Sequence, residues 1–420
     1  MQRKAQLLRK LALSSGIALA SASVLAGGIL SGSAMGAATA SARSLGVVLP
    51  WSSSYFTQLD AYSQRVGRPP ALVGMYRDWT IPLINTSQLD GVISRGATPQ
   101  VTWEPWDPTQ GTNQPLYALA TITDGSHDAY IEASARAAAA YGKPFQIRFA
   151  PEMNGSWAPW EDSINGNTPA AYVAAWRRVV SIFRSAGATN VTWVWAPNCG
   201  PTSTISSYYP GDSWVDVIGL DGYNWGSSLG KWQSFSEIFG SSYDIVTTLS
   251  ATKPVVITET ASADAGGDKA AWITSAYQTE IPTRFPRVTA VIWFNVNKEA
   301  DWRVESSSAA LAAYQAVVAS SAWGGQSILT VPTLSVSSYG RTSVSLVWQA
   351  VPQATGYTLQ VAADSSFSSP RDVAATGTAV TLSGLQSGTS YWFRIRATNG
   401  PSVSAWSSPV TVTTTGKLRK

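Results

Sequence analysis

Phe145-Gln-Ile-Arg-Phe149, Thr168-Pro-Ala-Ala-Tyr-Val-Ala-Ala-Trp-Arg-Arg-Val-Val-Ser-Ile-Phe-Arg184 and Val191-Thr-Trp-Val-Trp-Ala196 read in succession as strand, helix and strand. The outer two are short apolar runs of strand length, and the middle one repeats its apolar residues at helical spacing. The helix ends are marked by Thr168 as an N-cap, Pro169 at the first helical position and Gly187 after Ile182-Phe183-Arg184. The same alternation runs from Leu45 to about Ala322, where it adds candidate strands at Gly46 to Leu49, Leu72 to Met75, Gln100 to Trp103, Val215 to Leu220, Val255 to Thr258 and Val288 to Phe294. The Ala-rich run from Asp128 to Tyr141, stopped by Gly142, is one of the intervening helices. Eight strands alternating with helices predict an α/β fold, a (β/α)8 TIM barrel over residues 43–325, with reactive groups just past the C-terminal strand ends. An open doubly wound sheet competes, but no Gly-rich nucleotide loop follows the first strand.

After Gly324-Gly325 the texture changes to alternating Val, Leu, Thr and Ser with regular turn signals, which predicts an all-β, immunoglobulin-like sandwich over residues 329–416. Trp348 falls in an early strand, and Leu385-Gln-Ser-Gly-Thr-Ser-Tyr391 has the spacing of a tyrosine corner. From Pro332 to Thr415 the pattern resembles a fibronectin type III domain. Lys417-Leu-Arg-Lys420 reads as a solvated basic tail.

Residues 1–42 begin with a basic stretch, continue through the apolar run Leu11 to Leu30 and close on Ala40-Ser41-Ala42, the pattern of a secretory signal peptide. The expectation is a secreted chain with no membrane attachment once the leader is removed. Formal charge over all 420 residues is +4, yet Arg3, Lys4, Arg9 and Lys10 carry that excess, so the remainder is balanced and offers no basic footprint for nucleic acid. A single cysteine, Cys199, and a single histidine, His127, preclude a Cys/His zinc site, an internal disulfide and a dithiol centre. No metal and no cofactor is called for, and a monomer is expected. Nineteen Trp and 16 Tyr are the compositional outlier, and such faces suit stacking on the sugar rings of a polysaccharide.

Two carboxylates fall at strand ends in aromatic surroundings. Glu152 follows the fourth strand in Arg148-Phe-Ala-Pro-Glu-Met-Asn-Gly-Ser-Trp-Ala-Pro-Trp160, and Glu259 ends the seventh in Pro254-Val-Val-Ile-Thr-Glu-Thr260. Glycoside cleavage needs one carboxyl to protonate the leaving oxygen and another to attack, or to guide water to, the anomeric carbon. Arg148, four residues before Glu152, shares its face and either holds the acid or its neighbours by charge-assisted bonds or forms an ion pair inside the barrel. Asp221 and Asn224 either bind sugar or cap a loop. Trp103, Glu104, Trp106 and Trp195 are candidate walls or packing, His127 reads as a surface or capping residue, and Cys199 as a buried thiol.

Together Arg148 to Trp157, Ile218-Gly-Leu-Asp-Gly-Tyr-Asn-Trp225, Ile257-Thr-Glu259 and Ile292-Trp-Phe-Asn295 resemble glycoside hydrolase family 26, from about Leu45 to Ala322. The resemblance implies a secreted retaining endo-β-glycanase, foremost an endo-1,4-β-mannanase, with β-1,3-1,4-glucan and xylan as further substrates of the family. A carbohydrate-binding protein without catalysis is the alternative of another class. The resemblance makes Glu152 the acid/base, Glu259 the nucleophile and Tyr223 a donor to that nucleophile, with Trp157, Trp293, Trp302 and Arg303 in the sugar-binding floor. One position departs: the family's mannanases usually place His immediately before the acid, and here Pro151 has no side-chain donor or acceptor. Any contact of that kind is lost or supplied elsewhere; should mannan be cleaved efficiently with Pro151 in place, Asn154 or Arg303 makes it.

Overall fold

The computed structural model describes residues 43–416 apart from 325–330, 352–353, 400–401 and 405. The leader, the segment joining the two units and the basic tail of the sequence reading lie outside the described residues. The chain divides into two compact units at Gly325.

The first unit is a closed barrel of eight parallel strands in sequence order: β1 Ser44–Val48, β2 Leu72–Asp78, β3 Thr98–Glu104, β4 Phe145–Phe149, β5 Val191–Trp195, β6 Val217–Asn224, β7 Val255–Ser262 and β8 Val288–Phe294. All eight expected strands are present, with helices between them. Both faces of each strand are covered, so the strands read as continuous apolar runs. A small cluster of Val48, Leu72, Val194, Val217, Val256, Ala290 and Ile292 is set apart from the larger apolar layer that includes Trp176, Phe183, Tyr277 and Trp293. Thr168 caps the helix Pro169–Ser185 through Ala171 N at 3.1 Å, as its sequence predicts.

Strands β6 and β7 run beyond their expected ends and slip in register between Leu220 and Asp221 and between Ile257 and Thr260. A strict two-residue alternation would send Thr258 and Glu259 to opposite faces, yet both reach the same polar group inside the barrel; the slip resolves this. Gly219 leaves room beneath that group, because a Cβ there would lie 2.6 Å from the Ala196 Cβ and 2.7 Å from Thr258 Oγ1.

The second unit pairs a three-stranded sheet (Ala379–Ser383, Ser343–Trp348, Leu334–Tyr339) with a second sheet built on Arg371–Ala375, Gly356–Ala362 and Ser390–Asn399. Trp348, Leu346, Leu359, Phe393 and Ile395 are buried between them. The tyrosine corner forms, with Gln386 N donating to the Tyr391 hydroxyl at 3.0 Å.

Candidate active site

A cleft of about 1190 Å³ opens among the C-terminal strand ends and is lined by Glu152, Glu259, Tyr76, Glu104, Trp157, Tyr223 and Trp302, among others. Each of these side chains arrives there for a local reason.

The segment after β4 leaves the strand in left-handed backbone conformations, Ala150 at φ 41° and Glu152 at φ 56°, each costing about 1–2 kcal/mol for a non-glycine residue. It is held nonetheless, because Ala150 N donates to Trp103 O at 3.0 Å and Glu152 N to Ala196 O at 2.8 Å. The residues that follow explain the motif one by one. Met153 is buried in the core, and Asn154 braces the loop after β5 by donating to Asn198 O (2.8 Å) and Pro201 O (3.0 Å) while accepting from Asn198 N (2.9 Å). Gly155 lies where a Cβ would come within 2.6 Å of the Trp157 ring, so only glycine lets that indole fold back. Trp157 Nε1 then donates to Glu152 Oε2 at 2.9 Å, and Asn198 Nδ2 donates to Oε1 at 2.7 Å.

Glu259 is held differently. Tyr76 and the Nη2 of Arg148 donate to its Oε1, and Tyr223 donates to its Oε2. Three donors aimed at one carboxyl favour its ionised form. Burial first, and then the Glu259 charge, pushes both phenols well above their ordinary range, so each stays a proton donor. Arg148 itself is buried. Its Nη1 meets both oxygens of Asp221, at 2.9 and 2.8 Å, its Nε meets Thr102 Oγ1 at 3.1 Å, and Thr258 adds a further bond to Asp221. Arg148 is therefore a barrel-interior ion pair, and the cleft carboxyl it reaches is that of Glu259 on β7, not that of Glu152, which follows its own strand.

Trp302 forms a wall of the cleft, its ring centroid 5.2 Å from that of Tyr223 and 4.9 Å from that of Trp225. The loop carrying it is tied down by the buried Lys269, whose Nζ donates to Asp301 O at 2.9 Å and Arg303 O at 2.7 Å.

Three residues expected to touch sugar are not on the cleft. Trp293 faces the helices, against Trp272, Tyr277 and Tyr314, and its Nε1 donates to Trp302 O at 2.8 Å, so it supports the floor from behind. Arg303 is paired with Asp301 through two bonds of 2.8 and 2.6 Å. Asn154 is spent on the β5 loop, as above. Trp103 and Trp195 are core, Asn224 caps a loop by accepting from Gln233 N at 3.0 Å, and His127 sits over Tyr117 with Nε2 at 2.8 Å from Leu116 O. Burial pushes the Cys199 thiol far up, which removes it as a nucleophile. The sequence reading does not single out Tyr76 or Asn198, although Tyr76 directly follows one expected strand and Asn198 stands two residues past another, where barrel chemistry gathers.

Among the described residues no group of three or more His, Cys, Asp or Glu is arranged to hold a metal, and no helix is long and apolar enough to cross a membrane.

Comparison with known proteins agrees with this geometry. Residues 128–318 match Glycosyl hydrolase family 26, and residues 330–413 match the fibronectin type III domain. Endoglucanase H of Acetivibrio thermocellus is 39% identical over 269 residues, covering 62% of this chain and 29% of that protein. Mannan endo-1,4-beta-mannosidase A and B of Caldalkalibacillus mannanilyticus is 33% identical over 85 residues, 19% of this chain and 16% of that protein. The chain thus spans less than a third of the length of these curated relatives. A Cellulomonas fimi endo-beta-1,4-mannanase double mutant shares the fold, with a TM-score of 0.51 at 18% identity over 88% of this chain and 93% of that one. The chain carries a glycosyl hydrolase family 26-like domain followed by a C-terminal fibronectin type III domain.

Proposed function

We propose that this chain is a secreted, monomeric, retaining endo-β-glycanase. The observation that carries the reading is the unequal treatment of two carboxyls in one cleft: Glu259 receives three donors, one of them a cationic guanidinium, while Glu152 receives two neutral N–H donors, from Trp157 and Asn198. Glu259, ionised, attacks the anomeric carbon. Glu152 gives its proton to the departing oxygen, then takes one from the water that releases the glycosyl-enzyme. Tyr76, Tyr223 and Arg148 hold the nucleophile in place, and Trp157 and Trp302 flank the sugar. The leader supports export, and the fibronectin type III unit acts as a spacer or weak anchor.

The first substrate reading is β-1,4-mannan, supported by the family resemblance and by the mannosidase similarity. A second reading, mixed-linkage β-glucan, is favoured by Pro151, which brings no polar group to the sugar, and by the longer match to a protein named as an endoglucanase. Release of reducing ends from mannan, mixed-linkage glucan and xylan decides between them, and proton NMR of the first product tests retention. No release from any of the three would overturn the glycanase reading; a first product of inverted configuration would overturn the nucleophile.

A further inference from the structure

Glu104, a third carboxyl in the cleft, has no part in the two-glutamate chemistry. It ends β3, level with Asp78 at the end of β2 and one position beyond the pairing of Trp103 with Phe149 on β4. It therefore lies on the stretch of wall between Tyr76, which grips Glu259, and Pro151-Glu152.

Most polar groups around it are committed. Tyr76, Tyr223 and Arg148 spend donors on Glu259, and Glu152 receives Trp157 and Asn198. Asp78 is bound into its own turn through Thr80 N at 2.9 Å. Pro151 offers no side-chain polar atom. Glu104 accepts from Trp106 Nε1 at 3.1 Å through Oε2, and its Oε1 has no protein partner among the described residues. The indole fixes the carboxyl and leaves one oxygen for whatever fills the cleft.

We propose that Glu104 binds a hydroxyl of the sugar ring held at the point of cleavage and thereby sets which hexose is accepted. Hexoses of this class differ in the direction of single hydroxyls, and a fixed oxygen at the wall reads such a difference by geometry. Burial, reinforced by Glu259 and Glu152 and opposed by the Trp106 N–H and Arg148, pushes the Glu104 carboxyl up to about 7. Near neutrality it presents both an accepting and a donating form, which suits a hydroxyl that can do either.

The inference rests on the glycanase reading and is tested with Glu104→Ala and Glu104→Gln beside the wild type. The probes are dinitrophenyl β-mannobioside and β-cellobioside, whose leaving groups need no proton and so take Glu152 out of the comparison. Glu104→Ala should lower kcat/KM on the preferred sugar at least about tenfold, as loss of a hydrogen bond to a carboxyl does, with a smaller loss on the other, and Glu104→Gln should retain part of the preference. An unchanged ratio between the two sugars, or an equal loss on both accompanied by a lower melting temperature, would overturn the assignment. A wild type inactive on both glycosides and on the polymers would instead sink the glycanase reading, and this inference with it.

Discussion

Arg148 on β4 and Glu259 on β7 are bonded across the inside of the barrel, through one guanidinium nitrogen, while the other terminal nitrogen is held by Asp221 on β6. Arg148 and Asp221 are 2% and 0% exposed and Glu259 only 8%, so the Glu259 carboxyl and the barrel interior form one electrostatic unit. Removing any member touches both stability and chemistry.

Glu259→Ala should abolish turnover while leaving the barrel folded, and added azide should restore cleavage with a product of inverted configuration. Chromogenic assays with and without azide, together with circular dichroism, check this. A purified variant with most of its activity would show that the nucleophile lies elsewhere.

Glu152→Ala should cost about 10²- to 10⁴-fold on polysaccharide, where the leaving oxygen needs a proton, and far less on dinitrophenyl glycosides. Comparison of kcat on the two substrate types makes the measurement; equal losses would contradict the acid role.

Asp221→Ala leaves a buried guanidinium without its bidentate partner, and such a deletion costs about 3–5 kcal/mol. Urea denaturation of the wild type and the variant measures it. A change below about 1 kcal/mol, the range of exposed pairs, would mean that the interior pair is solvated in solution.

Glu104 gives stability a defined pH dependence. Its carboxyl keeps its proton up to about 7 in the folded chain and to 4.5 when unperturbed. Between those values the folded state binds more protons than the unfolded one, so stability from this group is complete at the acid end and lost as pH rises towards about 7. Glu104→Gln removes the titration, and its melting temperature should therefore fall less than that of the wild type between pH 5 and 8. Parallel curves from differential scanning fluorimetry would refute this.

How far the sequence reached is clearest at the strand ends. Thr168-Pro169 and Gly187 bound a helix by local chemistry, and the eight runs mark strands because a parallel sheet covered on both faces favours apolar side chains on both. Glu152 and Glu259 were legible because each breaks an apolar run on the C-terminal side, although β7 continues, buried, to Ser262. Trp293 and Trp302 look alike in sequence, yet one braces and the other lines the cleft. A run that is apolar on both faces does not say which side chains point inwards.

The sequence by itself determined the order of elements, the two units and the pair of carboxyls, since capping, periodicity and turn chemistry are local and act over a few residues. Tertiary structure alone decided that Arg148 would hold Glu259 and Asp221, that Tyr76 would join Tyr223 on the Glu259 carboxyl, and that Glu104 would keep an oxygen for the cleft. The contacts on Glu259 and Asp221 join residues 36 to 183 positions apart. They depend on barrel closure and on the register slips in β6 and β7, which follow from how all eight strands pack together.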